Sequence, residues 1–348
     1  MNPEDLTLDD FEKELPPSIA IEALIEALLD EEHIFPARYL YRLSDLPPED
    51  LRAIGEIWPR VALERRRGLL DDLQALAERD LLLSFEGIGR LALEDADPVV
   101  RFGGVQALTA SECTAPDLVE IYLALVENDP DANVQAVAAE ALSAFVYAGE
   151  VDKLPAALLT TLEERLLAVM QKETHPEVRR RTLEALGFSS RPEVPGLILE
   201  AIQNPAEDWQ ASALFAMGRS ADEAWEPHVL PMLSSASPVL RAEAARAAGE
   251  LELKKARRLL MDLTEDRDPE VRSAALWSLS QIGGRGVREV LRANLEAAVD
   301  DEEIRFLEDA LDNLTFTEGG DVFNLLDISA EELADLMAAD DEDDWLTP

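Results

Sequence analysis

The sequence predicts an all-α solenoid, which is a stack of antiparallel helix pairs, and three observations lead to this class. A helix-start motif recurs along the chain, small and apolar residues follow each start at helical spacing, and a second, leucine-rich segment follows each of these helices. A single pair of helices cannot bury its apolar face alone, and neighbouring pairs must therefore stack against one another.

The motif is an N-cap-type residue, a proline, one or more polar residues, an aliphatic residue and usually an arginine. Its clear copies begin at Asp97, His175, Ser237 and Asp268, and weaker copies begin at Asp129, Asn204 and Glu303. An Asp or Ser side chain can accept hydrogen bonds from the free N–H groups of the first turn, and proline is well tolerated at the first helical position. The aliphatic or aromatic anchors fall at positions 100, 134, 178, 209, 240, 271 and 304, at intervals of 34, 44, 31, 31, 31 and 33 residues. An earlier copy is expected near Arg66.

Each interval predicts one first helix and one second helix. Alanines on the first helices, such as Ala274 and Ala275 after the anchor Val271, allow neighbouring helices to approach closely. We expect glycines to end these helices as C-cap residues, at Gly187, Gly218, Gly249 and Gly283. Second helices are predicted over 194–202, 225–233, 253–263 and 287–299, and the long interval of 44 residues predicts an extended helix over 154–170 and a local change of curvature.

The two ends of the chain depart from the repeat and are strongly acidic. Residues 1–36 hold 11 acidic groups and one basic group, and residues 315–348 hold 11 acidic groups and no basic one. Amphipathic helices are predicted over 18–32 and 47–58, and a short helix after Ser329 is predicted from a capping box. We therefore predict an acidic helical N-terminal cap over 1–60, a repeat solenoid of seven to eight helix pairs over 61–314, and an acidic tail with one short helix over 315–348.

The Asp-Pro-x-Val-Arg starts and the Ala-Leu-Gly-type ends resemble the HEAT repeats, in particular the short HEAT-like repeats of the phycobilisome-lyase type. The resemblance covers roughly residues 60–314. It implies a right-handed superhelix whose second helices line the concave face. It also implies that the acidic residue and the arginine of the motif form a ladder between neighbouring units, which assigns a structural role to Arg101, Arg179, Arg241, Arg272, Arg305, Asp97 and Asp268.

Composition and motifs argue against several classes of function. A formal net charge of −42 disfavours nucleic-acid binding, a single cysteine excludes a disulfide framework, and no apolar run is long enough to span a membrane. No phosphate-binding loop or nucleophile elbow is present, and the three histidines are isolated in sequence, unlike the His-Glu pairs of the iron-dependent HEAT hydroxylases. We expect a cytoplasmic, non-enzymatic protein with no cofactor or bound metal.

A candidate partner site comes from the position six residues after each anchor, which should point away from the core. Large aromatic side chains at Phe215 and Trp277 flank Arg246 in this series, and aromatic residues and arginine are enriched at binding hot spots. Packing of these rings against an adjoining element such as the tail is the alternative. The complete series is Gln106, Glu140, Glu184, Phe215, Arg246 and Trp277.

The function predicted from these features is a scaffold or adaptor that binds a protein or peptide, preferably a basic one, on its concave face. The alternative is an accessory or lyase-like subunit related to the phycobilisome-lyase-type HEAT proteins. The acidic tail could also dock on its own solenoid, and we expect such contacts near Arg219, Arg246 or Arg285. The acidity could instead serve solubility or adaptation to high salt.

Overall fold

The computed structural model of the chain describes residues 19–172 and 175–325. These residues form α-helices joined by short turns and single turns of 3-10 helix, and no β-strand occurs among them. The predicted class, an all-α solenoid, is confirmed. The predicted capping box at residues 328–333 lies outside the described residues.

The chain divides into two compact units. Unit 1 comprises Met1–Phe145 and Glu164–Arg179, and unit 2 comprises Val146–Glu163 and Arg180–Pro348. The first nine helices are α1 (Ile21–Leu29), α2 (Pro48–Ile57), α3 (Leu63–Ala77), α4 (Glu86–Leu93), α5 (Pro98–Ala110), α6 (Leu118–Asn128), α7 (Ala132–Glu150), α8 (Ala156–Gln171) and α9 (Pro176–Leu186). The remaining helices are α10 (Val194–Ile202), α11 (Glu207–Arg219), α12 (Glu226–Met232), α13 (Pro238–Glu250), α14 (Arg257–Leu263), α15 (Pro269–Ile282), α16 (Val287–Ala297) and α17 (Asp301–Leu325). Unit 1 contains α1 to α6, unit 2 contains α10 to α17, and the boundaries between the units pass through α7, α8 and α9.

The helices from α3 to α16 form seven successive pairs, in which odd-numbered helices are the first and even-numbered helices the second of each pair. The four second helices predicted after residue 190 correspond to α10, α12, α14 and α16. The predicted extended helix over 154–170 corresponds to α8, which covers Ala156–Gln171. The boundary between the two units falls in this long repeat, where the spacing of the anchors departs from about 31 residues.

The N-terminal segment is packed on the first repeat by apolar side chains. Leu24 and Leu28 of α1, with Ile54 of α2, are buried in one cluster with Leu70 and Leu73 of α3. Burial of these side chains removes several apolar surfaces from water, at about 1.5–3 kcal/mol for each large one. This covers the exposed end of the first repeat, which is the task of a terminal cap in a solenoid.

Glycines in unit 2 allow first helices to approach closely, and only one of the four predicted C-cap glycines has a left-handed backbone. Gly283 ends α15 with φ +65°. A Cβ atom on Gly187 would lie 2.8 Å from Ala216 Cα, and one on Gly218 would lie 3.1 Å from Ala247 Cα. Gly249 faces Ser278 in the same way, at 2.7 Å from its Cβ atom. Gly187 directly follows Leu186, the last residue of α9, as predicted. The prediction of C-caps at Gly218 and Gly249 is wrong, because both lie inside their helices, where they allow contact with the next first helix.

The starts of α5, α13 and α15 are capped as the motif predicts, by Asp97, Ser237 and Asp268. The Asp97 carboxylate accepts hydrogen bonds from the N–H groups of Val99 and Val100, and Asp268 caps α15 in the same way. His175 accepts from the N–H of Glu177 through Nδ1 at 3.3 Å. In the copy at Asp129, the cap is Asp131, which accepts from Val134 N at 3.3 Å, and Pro130 therefore precedes the helix.

Arginines near these starts bind a carboxylate of the following repeat, which lies two residues before the N-cap of that repeat's first helix. Arg101 donates from Nε and Nη2 to both oxygens of Asp129, at 2.7 and 2.8 Å, and from Nη1 to the carbonyls of Asp95 and Ala96. Arg241 repeats this geometry with Asp266, at 2.8 and 2.9 Å. Arg66 contacts Asp95 at the equivalent place. We call these three pairs the arginine ladder.

The remaining motif residues differ from this arrangement. Asp268 caps its own helix and the ladder carboxylate beside it is Asp266, whereas Asp97 both caps α5 and accepts from Arg67 Nη2 at 2.7 Å. Arg272 keeps its two bonds to backbone carbonyls, at 3.0 and 3.2 Å. It has no ladder carboxylate, because the next N-cap is Asp300 and the residue two positions before it is Ala298. Arg179 lies half-buried at the start of α9. Arg305 is exposed and forms no ion pair within the described part of the chain.

Candidate partner-binding face

All six residues of the predicted partner series lie on first helices. Gln106 is half-buried on α5 and Glu140 is exposed on α7, both in unit 1. The other four lie in unit 2, and of these Glu184 is buried, which contradicts its predicted outward position. Its carboxylate accepts from Ser212 Oγ at 2.6 Å and from Arg181 Nη1 at 2.9 Å.

Unit 2 brings three of the predicted residues, Phe215, Arg246 and Trp277, onto one surface with further aromatic and charged side chains. Its first helices pack directly on one another, α11 on α13, α13 on α15 and α15 on α17. We define the aromatic face by the side chains that these helices and the end of α9 present, which are Phe188, Phe215, Arg219, Arg246, Trp277 and Phe306.

The first part of the aromatic face is an arginine between two rings. The guanidinium carbon of Arg219 lies 4.9 Å from the ring centroid of Phe215 and 5.5 Å from that of Phe188. Phe188 in turn packs against Tyr147, with ring centroids 5.4 Å apart. Such cation–π contacts are worth about 0.5–1 kcal/mol at partly exposed sites and fix the orientation of the guanidinium group.

The second part is a groove between α13, α15 and α17. Trp277 is 38% exposed, and its ring lies 6.1 Å from that of Phe306 at an interplanar angle of 37°. The groove has a volume of about 250 Å³ and is lined by Arg246, Glu250, Ser273, Ala274, Trp277, Gln281 and Phe306. A half-exposed tryptophan beside a second ring and an arginine is a suitable place for one side chain of a partner.

Carboxylates outnumber guanidinium groups on this face. Arg219 binds Glu250 at 3.1 Å, and Arg246 binds Glu243 at 2.6 Å and Glu270 at 3.1 Å. Burial raises the pKa of Glu243 and that of Glu250 above the ordinary value, although the two arginines act in the opposite direction. The two arginines therefore compensate these carboxylates only in part.

A second series of residues completes the face, and it follows the repeat interval of 31 residues. Phe188, Arg219, Glu250 and Gln281 each lie ten residues after an anchor, as the predicted series lies six residues after it. Positions i and i+4 share one side of a helix. The interval could thus have identified Phe188, Arg219 and Glu250 from the sequence. Phe306 follows Trp277 by 29 residues and lacks this signal.

The described residues were also compared with the requirements of a metal site, a membrane span and a nucleophile, and they meet none of these. Within residues 19–172 and 175–325, no group of three or more His, Cys, Asp or Glu side chains is placed to hold a metal ion. No helix in the described part of the chain combines the length and the apolar character needed to cross a membrane. Burial raises the pKa of the Cys113 thiol to about 11, which makes it a poor nucleophile at neutral pH.

A comparison with protein families identifies the last repeats of the chain. Residues 226–312, which run from α12 to α17, match the family model of HEAT repeats. Similar helix pairs precede them from α3 onwards. The chain contains HEAT repeats over residues 226–312.

Solved structures that are similar to this chain include the following three. The complex of CpcE and CpcF of phycocyanin lyase from Nostoc sp. PCC7120 is 18% identical, with a TM-score of 0.42, and the match covers 89% of this chain and 100% of that one. Human deoxyhypusine hydroxylase in complex with glycerol is 20% identical, with a TM-score of 0.33 and coverages of 75% and 95%. Kap121p bound to Pho4p is 13% identical, with a TM-score of 0.43 and coverages of 85% and 38%. No curated protein matches the sequence.

Proposed function

We propose that this protein is a non-enzymatic scaffold or adaptor, and that it binds a basic protein or peptide segment through the aromatic face of unit 2. The observation that carries the proposal is the groove in which Trp277 stays 38% exposed beside Phe306. Apolar rings of this size are normally buried in a folded protein, and their exposure beside an arginine is typical of a recognition surface.

Charge supports a basic partner for this face. The carboxylates of Glu243 and Glu250 have raised pKa values because burial removes water from them. A lysine or arginine side chain of a partner would compensate these carboxylates, while an apolar neighbour in the same segment would cover the Trp277 ring. The whole chain, with a formal net charge of −42, would also attract basic segments over a longer range at low salt.

A peptide library tests this proposal. The immobilised full chain is presented with random peptides, and the enriched sequences are expected to place arginine or lysine next to an aliphatic or aromatic residue. For an enriched peptide, the double variant Trp277→Ala/Phe306→Ala should raise Kd at least tenfold, since a truncated hot-spot residue costs about 2 kcal/mol or more. Binding should also weaken as salt rises from low to high concentration.

The matched control is Tyr41→Ala, because Tyr41 is an aromatic residue of unit 1 that is 56% exposed. This variant should bind the peptide like the natural chain. Enrichment of acidic peptides, or equal loss of affinity in the control and the double variant, would contradict the proposal. Purification from the native host with a bound chromophore would instead favour the accessory or lyase-like function.

A further inference from the structure

The second helices of the last repeats carry a basic patch in this very acidic protein. Seven of the 31 lysine and arginine side chains of the chain lie on α14, on α16 and on the turns before these two helices. We define the basic patch by these side chains, which are Lys254, Lys255, Arg257, Arg258, Arg285, Arg288 and Arg292.

Most of these cations lack a compensating carboxylate. Lys255 pairs with Glu226 at 3.1 Å and Arg288 with Glu318 at 2.5 Å. Lys254, Arg258, Arg285 and Arg292 are exposed, and in the part of the chain that the structure describes they form no ion pair. Uncompensated cations on the same two helices and the turns before them attract an acidic segment.

The patch is continuous across the two repeats. The Arg257 guanidinium group packs against the turn before α16, so closely that its Cζ atom lies 2.4 Å from where a Cβ atom on Gly284 would be. This turn consists of Gly283, Gly284 and Gly286 in left-handed conformations, with Arg285 exposed between them. The side chains of α14 and the start of α16 therefore form a single surface.

The last described helix, α17, leads the chain to this surface. It runs antiparallel to α16, and Thr317 Oγ1 donates to the carbonyl of Ser280 at the end of α15, at 3.2 Å. Glu318 binds Arg288 in the first turn of α16. Beyond these contacts α17 continues to Leu325. Residues 326–348 follow, with nine acidic residues and no basic one.

We propose that the acidic segment 327–344 of the same chain docks on the basic patch. The contact of Glu318 with Arg288 is the first member of a series of acidic-to-basic contacts, which the following residues extend along Arg285, Arg258 and Lys254. The segment is thereby held on the second helices, and the aromatic face on the first helices remains open for a partner. This places the docking expected from the sequence at Arg285 and away from Arg219 and Arg246.

Zero-length carbodiimide cross-linking of the full chain tests this proposal, because it joins a lysine amine to a carboxylate in direct contact. Cross-links from Lys254 and Lys255 to residues 327–344 are expected within the monomer at low salt and should decrease at high salt. Lys153 is the matched control, because it is an exposed lysine of unit 2 outside the patch. The double variant Arg258→Glu/Arg285→Glu keeps both lysines and should lower the yield of these cross-links about fivefold.

Two results would overturn the proposal. One is that Lys153 cross-links to 327–344 as often as Lys254 and Lys255 do. The other is that the cross-links occur only in a covalent dimer, which would assign the patch to the acidic segment of a second copy. Peptide binding by the aromatic face is measured separately and does not depend on either result.

Discussion

The arginine ladder and the aromatic face both contain arginine–carboxylate pairs, but the two regions differ in how many hydrogen bonds each arginine makes. In the ladder, Arg101 makes two bonds to Asp129 and two to backbone carbonyls, and its side chain is 11% exposed. On the aromatic face, Arg246 is 40% exposed and its two carboxylate partners each receive a single bond. A fully bonded arginine has no capacity left for a partner, whereas an exposed one with single bonds keeps donors available.

The largest effect is expected when a ladder arginine is removed. Arg101→Ala should lower the free energy of unfolding by about 3 kcal/mol or more, because it leaves the Asp129 carboxylate buried without a cation. The side chain of Asp129 is only 3% exposed. Urea denaturation followed by circular dichroism measures the change. Arg246→Ala, the control from the aromatic face, should cost less than about 1 kcal/mol. Equal losses in the two variants would remove the distinction between the regions.

A smaller effect is expected at a glycine under the aromatic face. Gly187→Ala would place a Cβ atom 2.8 Å from Ala216 Cα and 3.1 Å from its carbonyl oxygen. Because backbone must move, we expect a loss of about 1–3 kcal/mol and a displaced Phe188 ring. Gly196→Ala is the control, since α10 leaves open space at that position. This control should be neutral or slightly stabilising in the same denaturation experiment. A stable Gly187→Ala protein would show that the first helices are less tightly packed than described.

The smallest effect concerns the sign of the dependence on pH. Arg241 lowers the pKa of Asp266, whereas burial raises that of Glu243. A carboxylate whose pKa is lower in the folded state than in the unfolded state stabilises the fold at a pH above both pKa values, and this contribution is lost as the pH falls. A carboxylate whose pKa is higher in the folded state destabilises the fold at a pH above both values, and this penalty is lost as the pH falls. At pH 7, Asp266→Asn should therefore be less stable than the natural chain and Glu243→Gln more stable.

Both differences should shrink as the pH falls. That of Glu243→Gln should shrink below the raised pKa of Glu243, and that of Asp266→Asn should shrink between the pKa of Asp266 in the unfolded chain and its lower pKa in the folded protein. Thermal unfolding of the three proteins over a range of pH measures this. If Glu243→Gln is less stable than the natural chain at pH 7, the ion pair of Glu243 with Arg246 stabilises the fold by more than the burial of the carboxylate costs. The aromatic face would then resemble the ladder.

The sequence predicted the positions of helices better than the partners of their side chains. The anchors and prolines located the starts of α5, α13 and α15, because capping and proline geometry act within a few residues. Ladder partners were harder to predict, since Asp266 and not the cap Asp268 binds Arg241. Two glycines were misassigned for a related reason: Gly218 and Gly249 are required by a helix that lies about 30 residues further along the chain.

By itself the sequence determined the class of fold, the length of each repeat and the strongly acidic character, because hydrophobic periodicity, helix capping and net charge are properties of the chain. Only the tertiary structure decided which side chains are exposed together. Glu184 was expected to point outwards and is buried against Ser212, while Phe306 joins Trp277 from a helix whose spacing gives no signal. Burial and ion pairing depend on distances between repeats, and these distances are set by how closely the first helices pack.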